Sequence, residues 1–358
     1  MIALALTVLV LLAFQLLMPK PPPRPATVNT QPAVAQTQPA NTPTPAPVDD
    51  RPKLGEVIGE SSERTLELTI GTIGEPGSYR ARFTNRGAQL LELKLANFVD
   101  QVGLRDEDRL APEHWTTLLA SADSAGVKTG SMVWRSDASS TDLERGPIDS
   151  ALWRMRPIPN ETNPTGVEFD LAQGSGVRLI KRLRFEPGTY RIQLELELEN
   201  LALEGTRRIG YLFTPAEVVP LESGDRFYVE PQAIAAARSR EDSAAKKDKP
   251  PTAKSVPRDD RGKEVTGRFE IPEGDVSFAG VHNKYFAYLM RGADPYSQAS
   301  IVTTRWRRLR DDGYAKTHPD KAADNWRFMA SDLVLEFDVP PRGETRKYAY
   351  AIYSGPKD

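Results

Sequence analysis

At 358 residues the chain exceeds one small domain, and length alone allows two or three. With 47 Lys and Arg against 49 Asp and Glu the net charge is −2, so no global basic field supports a nucleic-acid partner. There is no cysteine, which excludes a disulfide scaffold, thiolate zinc sites and a Cys nucleophile.

The first 18 residues, MIALALTVLVLLAFQLLM, are uncharged. As a helix they would span about 27 Å, close to the ~30 Å hydrocarbon core of a bilayer. A secretory signal has a shorter apolar run and a small-x-small site just after it. Here Pro19-Lys20 and three further prolines follow, and Ala33-Val34-Ala35 lies far downstream. The expectation is an uncleaved transmembrane anchor over 1–18, with a cleaved signal as the alternative. Lys20 and Arg24 follow the helix and no positive residue precedes it, so the positive-inside rule taken literally points the body to the cytoplasm. A short basic start ahead of Met1 would remove that conflict.

Eleven of the thirty prolines fall between Pro19 and Pro52. Such a tract cannot bury enough apolar surface to offset its ordering entropy, so 19–60 is expected to be a disordered, extended linker. The remainder, 61–358, is expected to be one β-rich body. Leu66, Leu68 and Ile70 alternate with polar residues, as do Tyr79, Ala81 and Phe83. Asn85-Arg86-Gly87 is a turn cluster before Ala88 to Leu95.

Val177 to Asn200 predicts a hairpin. Val177, Leu179, Lys181, Leu183 and Phe185 share one face, and Tyr190, Ile192, Leu194, Leu196 and Leu198 share a face of the next strand. Glu186-Pro187-Gly188-Thr189 suits a type II turn. Pairing Phe185 with Tyr190 aligns the faces and sets Arg178 opposite Glu197; a shift of two residues keeps the faces aligned as well. From Gln232 to Gly267 the composition turns to Ala, Lys, Asp, Ser and Pro, which predicts a solvated, disordered insertion. Val276 to Met290 fits either a helix or a strand. Leu333, Leu335, Phe337 and Val339 alternate, Pro340-Pro341-Arg342-Gly343 turns the chain, and Tyr348, Tyr350 and Ile352 close it. There is no internal repeat. The body is expected to be mainly β and antiparallel, with two packed sheets hiding the half-buried strands.

No catalytic constellation emerges. His114, His282 and His318 have no zinc-type spacing, and structural or solvent-facing roles are favoured. The Asp311-Asp312 and Asp259-Asp260 pairs read as solvated loop charge. No G-x-S-x-G elbow occurs, and Gly174-Ser175-Gly176 opens no helix that could cradle a phosphate. Arg305, Trp306, Arg307, Arg308 and Arg310 form a basic-aromatic cluster that could meet anionic lipid or an acidic partner, although a solvated strand edge is the better reading. No catalytic, cofactor or metal residue is assigned, and no cofactor is expected.

Several segments, in order, resemble the N-terminal half of a bacterial YidC membrane protein insertase. Phe83-Thr84-Asn85-Arg86-Gly87-Ala88 with Leu90 and Leu91 is similar to a Thr-x-Arg-Gly-small turn of that family. Lys181, Phe185, Pro187-Gly188, Tyr190 and Glu199-Asn200 resemble its hairpin signature. Gly280 to Ala287 resembles its Gly-x-x-x-Lys-Tyr-Phe segment, and Tyr353 to Asp358 its Tyr-x-Gly-Pro-Lys stretch. Residues 104–174 and 205–274 match poorly.

The resemblance implies a two-sheet antiparallel β-supersandwich, similar to galactose mutarotase, held in the periplasm behind one transmembrane helix in the bacterial inner membrane. It implies a non-enzymatic module assisting insertion and folding of inner-membrane proteins, alone or with the Sec translocon. Its partners would be the membrane, translocon subunits and nascent membrane proteins, with no nucleic acid and no small-molecule substrate. The family's five-helix core would begin just after Asp358, and no second apolar run of about 18 residues is present. The chain is therefore expected to be part of a longer protein or of a split gene. A periplasmic carbohydrate-binding or mutarotase-like sandwich is the alternative, and it would need a His and a carboxylate converging in a cleft. An anchored scaffold is a third.

Overall fold

The computed structural model describes residues 57–100, 102–124, 127–136, 148–174, 176–201, 208–220, 232–238, 252–255, 266–269, 275–293, 300–310, 312–317, 319–320 and 326–357. The expected anchor over 1–18 and the linker as far as residue 56 lie outside them. Among the described residues no helix is long and apolar enough to cross a membrane.

The strands in chain order are β1 (Val57–Ile58), β2 (Thr65–Ile70), β3 (Tyr79–Thr84), β4 (Gln89–Val99), β5 (Trp115–Ala120), β6 (Ala122–Ser124) and β7 (Val127–Thr129). Then come β8 (Val133–Ser136), β9 (Arg154–Ile158), β10 (Gly166–Gln173), β11 (Val177–Phe185), β12 (Arg191–Asn200), β13 (Arg208–Pro220) and β14 (Gln232–Arg238). The last are β15 (Thr252–Ser255), β16 (Thr266–Phe269), β17 (Asp275–His282), β18 (Phe286–Gly292), β19 (Ser300–Arg310), β20 (Trp326–Asp338) and β21 (Thr345–Pro356). Two short helices, Asp106–Arg109 and Asp312–Thr317, complete the described elements with one 3-10 turn.

A ten-stranded antiparallel sheet runs β1-β10-β11-β12-β21-β18-β17-β14-β15, with β9 also on β10. Opposite it lie a four-stranded sheet, β2-β3-β4-β5, and a five-stranded sheet, β16-β19-β20-β13-β8. The second layer is thus divided in two, and β5 lies against β13 where the halves meet. This is the mainly β, layered architecture expected from sequence.

Alternation decides which residues face the interior. Leu68, Ile70, Tyr79, Ala81 and Phe83 from the four-stranded sheet pack on Phe169, Leu183, Phe185, Ile192 and Leu194 from the ten-stranded one. Phe83 meets Phe169 and Phe185 edge-on at 6.1 and 6.4 Å, and Tyr79 meets Phe185 at 5.5 Å. Burying each such side chain contributes about 1.5–3 kcal/mol, so these rows dominate the layer contact.

The hairpin forms as expected, with its register shifted by two. Phe185 pairs with Ile192, and Arg178 faces Glu199 instead of Glu197. Pro187 and Gly188 occupy the centre of the turn, where Thr189 N–H donates to the Glu186 carbonyl at 3.1 Å. Tyr190 leaves the ladder because it is engaged elsewhere. Asn97 Nδ2 donates to its hydroxyl at 2.6 Å, and its ring lies over Gly355, where an added Cβ would sit 2.4 Å from the ring.

Two further expectations differ, and one left open is decided. The body's first described strand, Val57–Ile58, precedes residue 61 and pairs with β10. The stretch 232–267 contains β14 and β15 and the start of β16; the Gln232-Ala-Ile-Ala-Ala-Ala run extends along β17, while the residues between these strands lie outside the described set. The segment 276–290 is a hairpin of β17 and β18, not a helix, because both strands are needed to join β14 to β21.

Candidate docking groove

Buried residues from the segments that carry the resemblance take part in a frame that ties the layers together. Asn85, fully buried, accepts the Arg64 backbone N–H at 2.8 Å and donates to Glu60 and to the Ser62 carbonyl, both at 2.9 Å. Three residues on, the Ala88 carbonyl accepts from the Lys181 ammonium, which also donates to the Met132 carbonyl at 2.5 Å. Lys181 is completely buried, 5.2 Å from the Phe169 ring centre and 6.0 Å from that of Trp153. Burial pushes its pKa down to about 7.

At the other end, Phe286 and Ala287 pair with Pro356 and Gly355. The Tyr79 hydroxyl donates to the Ser354 carbonyl at 3.0 Å and ties this region to the second layer. Asn200 closes the hairpin, its Nδ2 donating to the Pro340 carbonyl at 2.8 Å while its backbone brackets the 341–344 turn.

On the outward face of the same sheet, an ion lattice spans β9 to β21. Arg178 binds Asp170 at 2.9 Å and Glu199 at 3.2 Å; Arg182 binds Glu168 at 2.6 Å and Glu195 at 2.5 Å and reaches Glu197. Burial raises the Asp170 pKa, but Arg178 and Arg154 outweigh it and hold the carboxyl below its ordinary range. The carboxylates are sunk into the lattice: the Asp170 and Glu168 side chains are 2% and 6% exposed, whereas those of Arg154 and Arg156 are 47% and 60% exposed.

Next to the lattice lies a groove of about 510 Å³. The ladder register explains its shape. One row of outward positions reads Arg184, Gln193, Ala351, Arg291 across β11, β12, β21 and β18. The adjoining row reads Arg191, Tyr353, Leu289. Ala349 and Ala351, the small outward residues of β21, form the floor, and Phe278, Leu289 and Tyr353 rise beside it. Arg184, Arg191 and Arg291 are exposed at the rim and make no ion pair among the described residues. Of the rim carboxylates, Glu195 is held by Arg182, and Glu186 accepts from Gln193 at 2.6 Å. The surface is an apolar trough whose rim, among the described residues, carries three guanidinium groups and the Glu186 carboxylate, which is held by a neutral amide.

The basic-aromatic cluster singled out in the sequence lies elsewhere. Arg305, Trp306, Arg307, Arg308 and Arg310 are positions of β19, which runs between β16 and β20. Arg305 and Trp306 are paired on both sides, so this is an interior strand at those positions, not an edge.

His282 Nδ1 lies 3.2 Å from Lys357 Nζ and 3.3 Å from the Asn283 carbonyl oxygen. Burial and that lysine lower the His282 pKa. Its neighbour is thus a cation, unlike the carboxylate an acid-base pair requires. Among the described residues no group of three or more His, Asp or Glu could hold a metal. The groove residues were missed in the sequence because their adjacency depends on strand order. The one local signal was Ala349 and Ala351 alternating with Tyr348 and Tyr350.

No family model matches the chain. A membrane protein insertase, YidC of Syntrophus aciditrophicus strain SB, is 23% identical over 378 aligned residues, covering 100% of this chain. The chain spans 58% of that relative's length. Among solved structures, the GalM/aldose epimerase homologue of C. elegans is similar at TM-score 0.43 and 8% identity, covering 82% of this chain and 100% of the other. The Slr1438 protein of Synechocystis is similar at TM-score 0.44 and 9% identity, covering 82% and 97%. At that level neither says anything of this chain's activity.

Proposed function

We propose that the chain is the anchored, periplasmic part of a membrane protein insertase, a docking module without covalent chemistry. The observation that carries this reading is the similarity to an insertase along the whole chain. The buried frame in which residues of the resembling segments take part supports it, since it holds the layers together and leaves the outward groove open for a partner. In this reading the bulk lies on the periplasmic side of the bacterial inner membrane, and the partners are translocon subunits and emerging membrane proteins.

The test is depletion of the native gene product followed by pulse-labelling and protease protection of inner-membrane proteins. Reduced insertion of at least some of them is expected. Unchanged insertion, with the purified chain epimerising an aldose, would overturn the reading.

A further inference from the structure

We propose that the groove on the outward face of the ten-stranded sheet holds an extended polypeptide segment bearing an apolar side chain between two carboxylates. The inference rests on the docking reading above and adds the chemistry of the occupant. It comes from the row Arg184, Gln193, Ala351, Arg291.

Neighbouring strands lie about 4.8 Å apart, so Arg184 and Arg291, three strands apart, are separated by roughly 14 Å at the backbone. An extended segment rises about 3.3 Å per residue, so carboxylates four residues apart span roughly 13 Å. The residue midway between them, on the same side of the segment, comes down between Gln193 and Ala351. Methyl groups cannot hydrogen-bond, so the floor favours an apolar side chain there and offers little to a sugar hydroxyl. Arg191, on the next row, adds a third guanidinium to the same end as Arg184. The sunk lattice beside the groove does not cancel these charges, because Asp170, Glu168 and Glu199 are each engaged by Arg178 or Arg182; Glu186 offsets one of the three, and the rim stays net positive. Carboxylates brought to this rim would be drawn in and bound by exposed guanidinium groups capable of bidentate contacts.

The probe is a fluorescein-labelled Glu-Ser-Leu-Ser-Glu peptide, titrated against the full chain in nanodiscs and read by anisotropy. Controls are Lys-Ser-Leu-Ser-Lys and Glu-Ser-Ser-Ser-Glu. The acidic leucine peptide is expected to bind at least ~10-fold more tightly than either control and to weaken with added salt. Ala351→Trp, which fills the floor, and the triple change Arg184→Glu, Arg191→Glu, Arg291→Glu are each expected to remove that preference. Arg156→Glu, on the neighbouring lattice, should keep it. Melting curves identify any variant that fails to fold, and the two groove variants are independent of each other. Equal affinity for the three peptides, or a preference unaffected by both groove variants, overturns the proposal. So does galacto-oligosaccharide binding that Ala351→Trp abolishes without any peptide binding. Failure here with membrane-protein insertion still dependent on the gene product removes only the occupant; loss of that dependence removes the docking reading itself.

Discussion

Replacing Lys181 with methionine tests whether a buried amine latches the two layers. Its Nζ donates to the carbonyls of Ala88 and Met132, which both have left-handed backbone (φ 52° and 61°). Methionine keeps the apolar stem and leaves both carbonyls buried without that donor, at a cost of about 1–3 kcal/mol each. Against this, the amine itself is destabilising near neutrality. Burial lowers its pKa from 10.5 to about 7, so between those values the unfolded chain binds a proton that the folded chain does not. Stability contributed by the wild-type residue therefore rises with pH through that window. At ~1.36 kcal/mol per unit, the rise from pH 7 to 9 is about 2 kcal/mol. Urea unfolding followed by tryptophan fluorescence reads this directly, since Trp153 lies beside Lys181 and stacks on Trp134 at 6.3 Å. Lys181→Met should be less stable than wild type by ~2–4 kcal/mol at pH 9, and the gap should shrink by about 2 kcal/mol at pH 7. Other titrating groups cancel in the difference between the two proteins. A gap independent of pH would refute the reasoning, because the amine would then be held charged by the carbonyls and ring faces throughout.

Asn85→Ala removes the acceptor for the Arg64 backbone N–H and the donor to Glu60 and Ser62, and should cost ~2–3 kcal/mol in urea unfolding. Gly87→Ala puts a Cβ 2.0 Å from the Asp149 carbonyl at a φ of +64°, so the backbone must move; a loss of about 2 kcal/mol or more is expected, and an unaltered melting curve would contradict the close approach. Asp170→Asn should destabilise by roughly 3 kcal/mol at pH 7. Because the folded-state pKa of Asp170 is depressed, its stabilisation is present above the ordinary carboxylate range and lost as pH falls through the folded value, so acid titration of unfolding should show the two proteins converging.

What the sequence made legible follows from how local each signal is. Leu179, Leu183, Leu194 and Leu196 alternate within single strands, so the inward face of the hairpin could be read directly. The two-residue register error was invisible, because a shift of two preserves every face and is decided by Tyr190, which Asn97 draws out of the ladder from another strand. Val276 to Met290 stayed open between helix and strand because Phe278, Val281, Tyr285 and Leu289 also fit a helical spacing; only pairing with β14 and β21 settles it. Alternation also put Lys181 on the inward face, but what satisfies its amine there stayed hidden, since the acceptors come from residues 88 and 132 on other elements.

The groove and the frame are two faces of one register. Along β21, Tyr348, Tyr350 and Ile352 point into the core while Ala349, Ala351 and Tyr353 point out. A slip of one residue would send the tyrosines into the groove and the alanines into the core, destroying both at once. That slip is opposed at the end of β21, where Tyr79 bonds Ser354 and Tyr190 covers Gly355. On the proposed docking reading, Tyr79 and the resembling residues Tyr190, Ser354 and Gly355 would act on partner binding indirectly: they hold β21 in the register that exposes Ala351 between Arg184 and Arg291. Substitutions within the outward rows can change what the groove accepts without touching the frame, whereas loss of the Tyr79 to Ser354 contact should loosen the floor and the layer contact together.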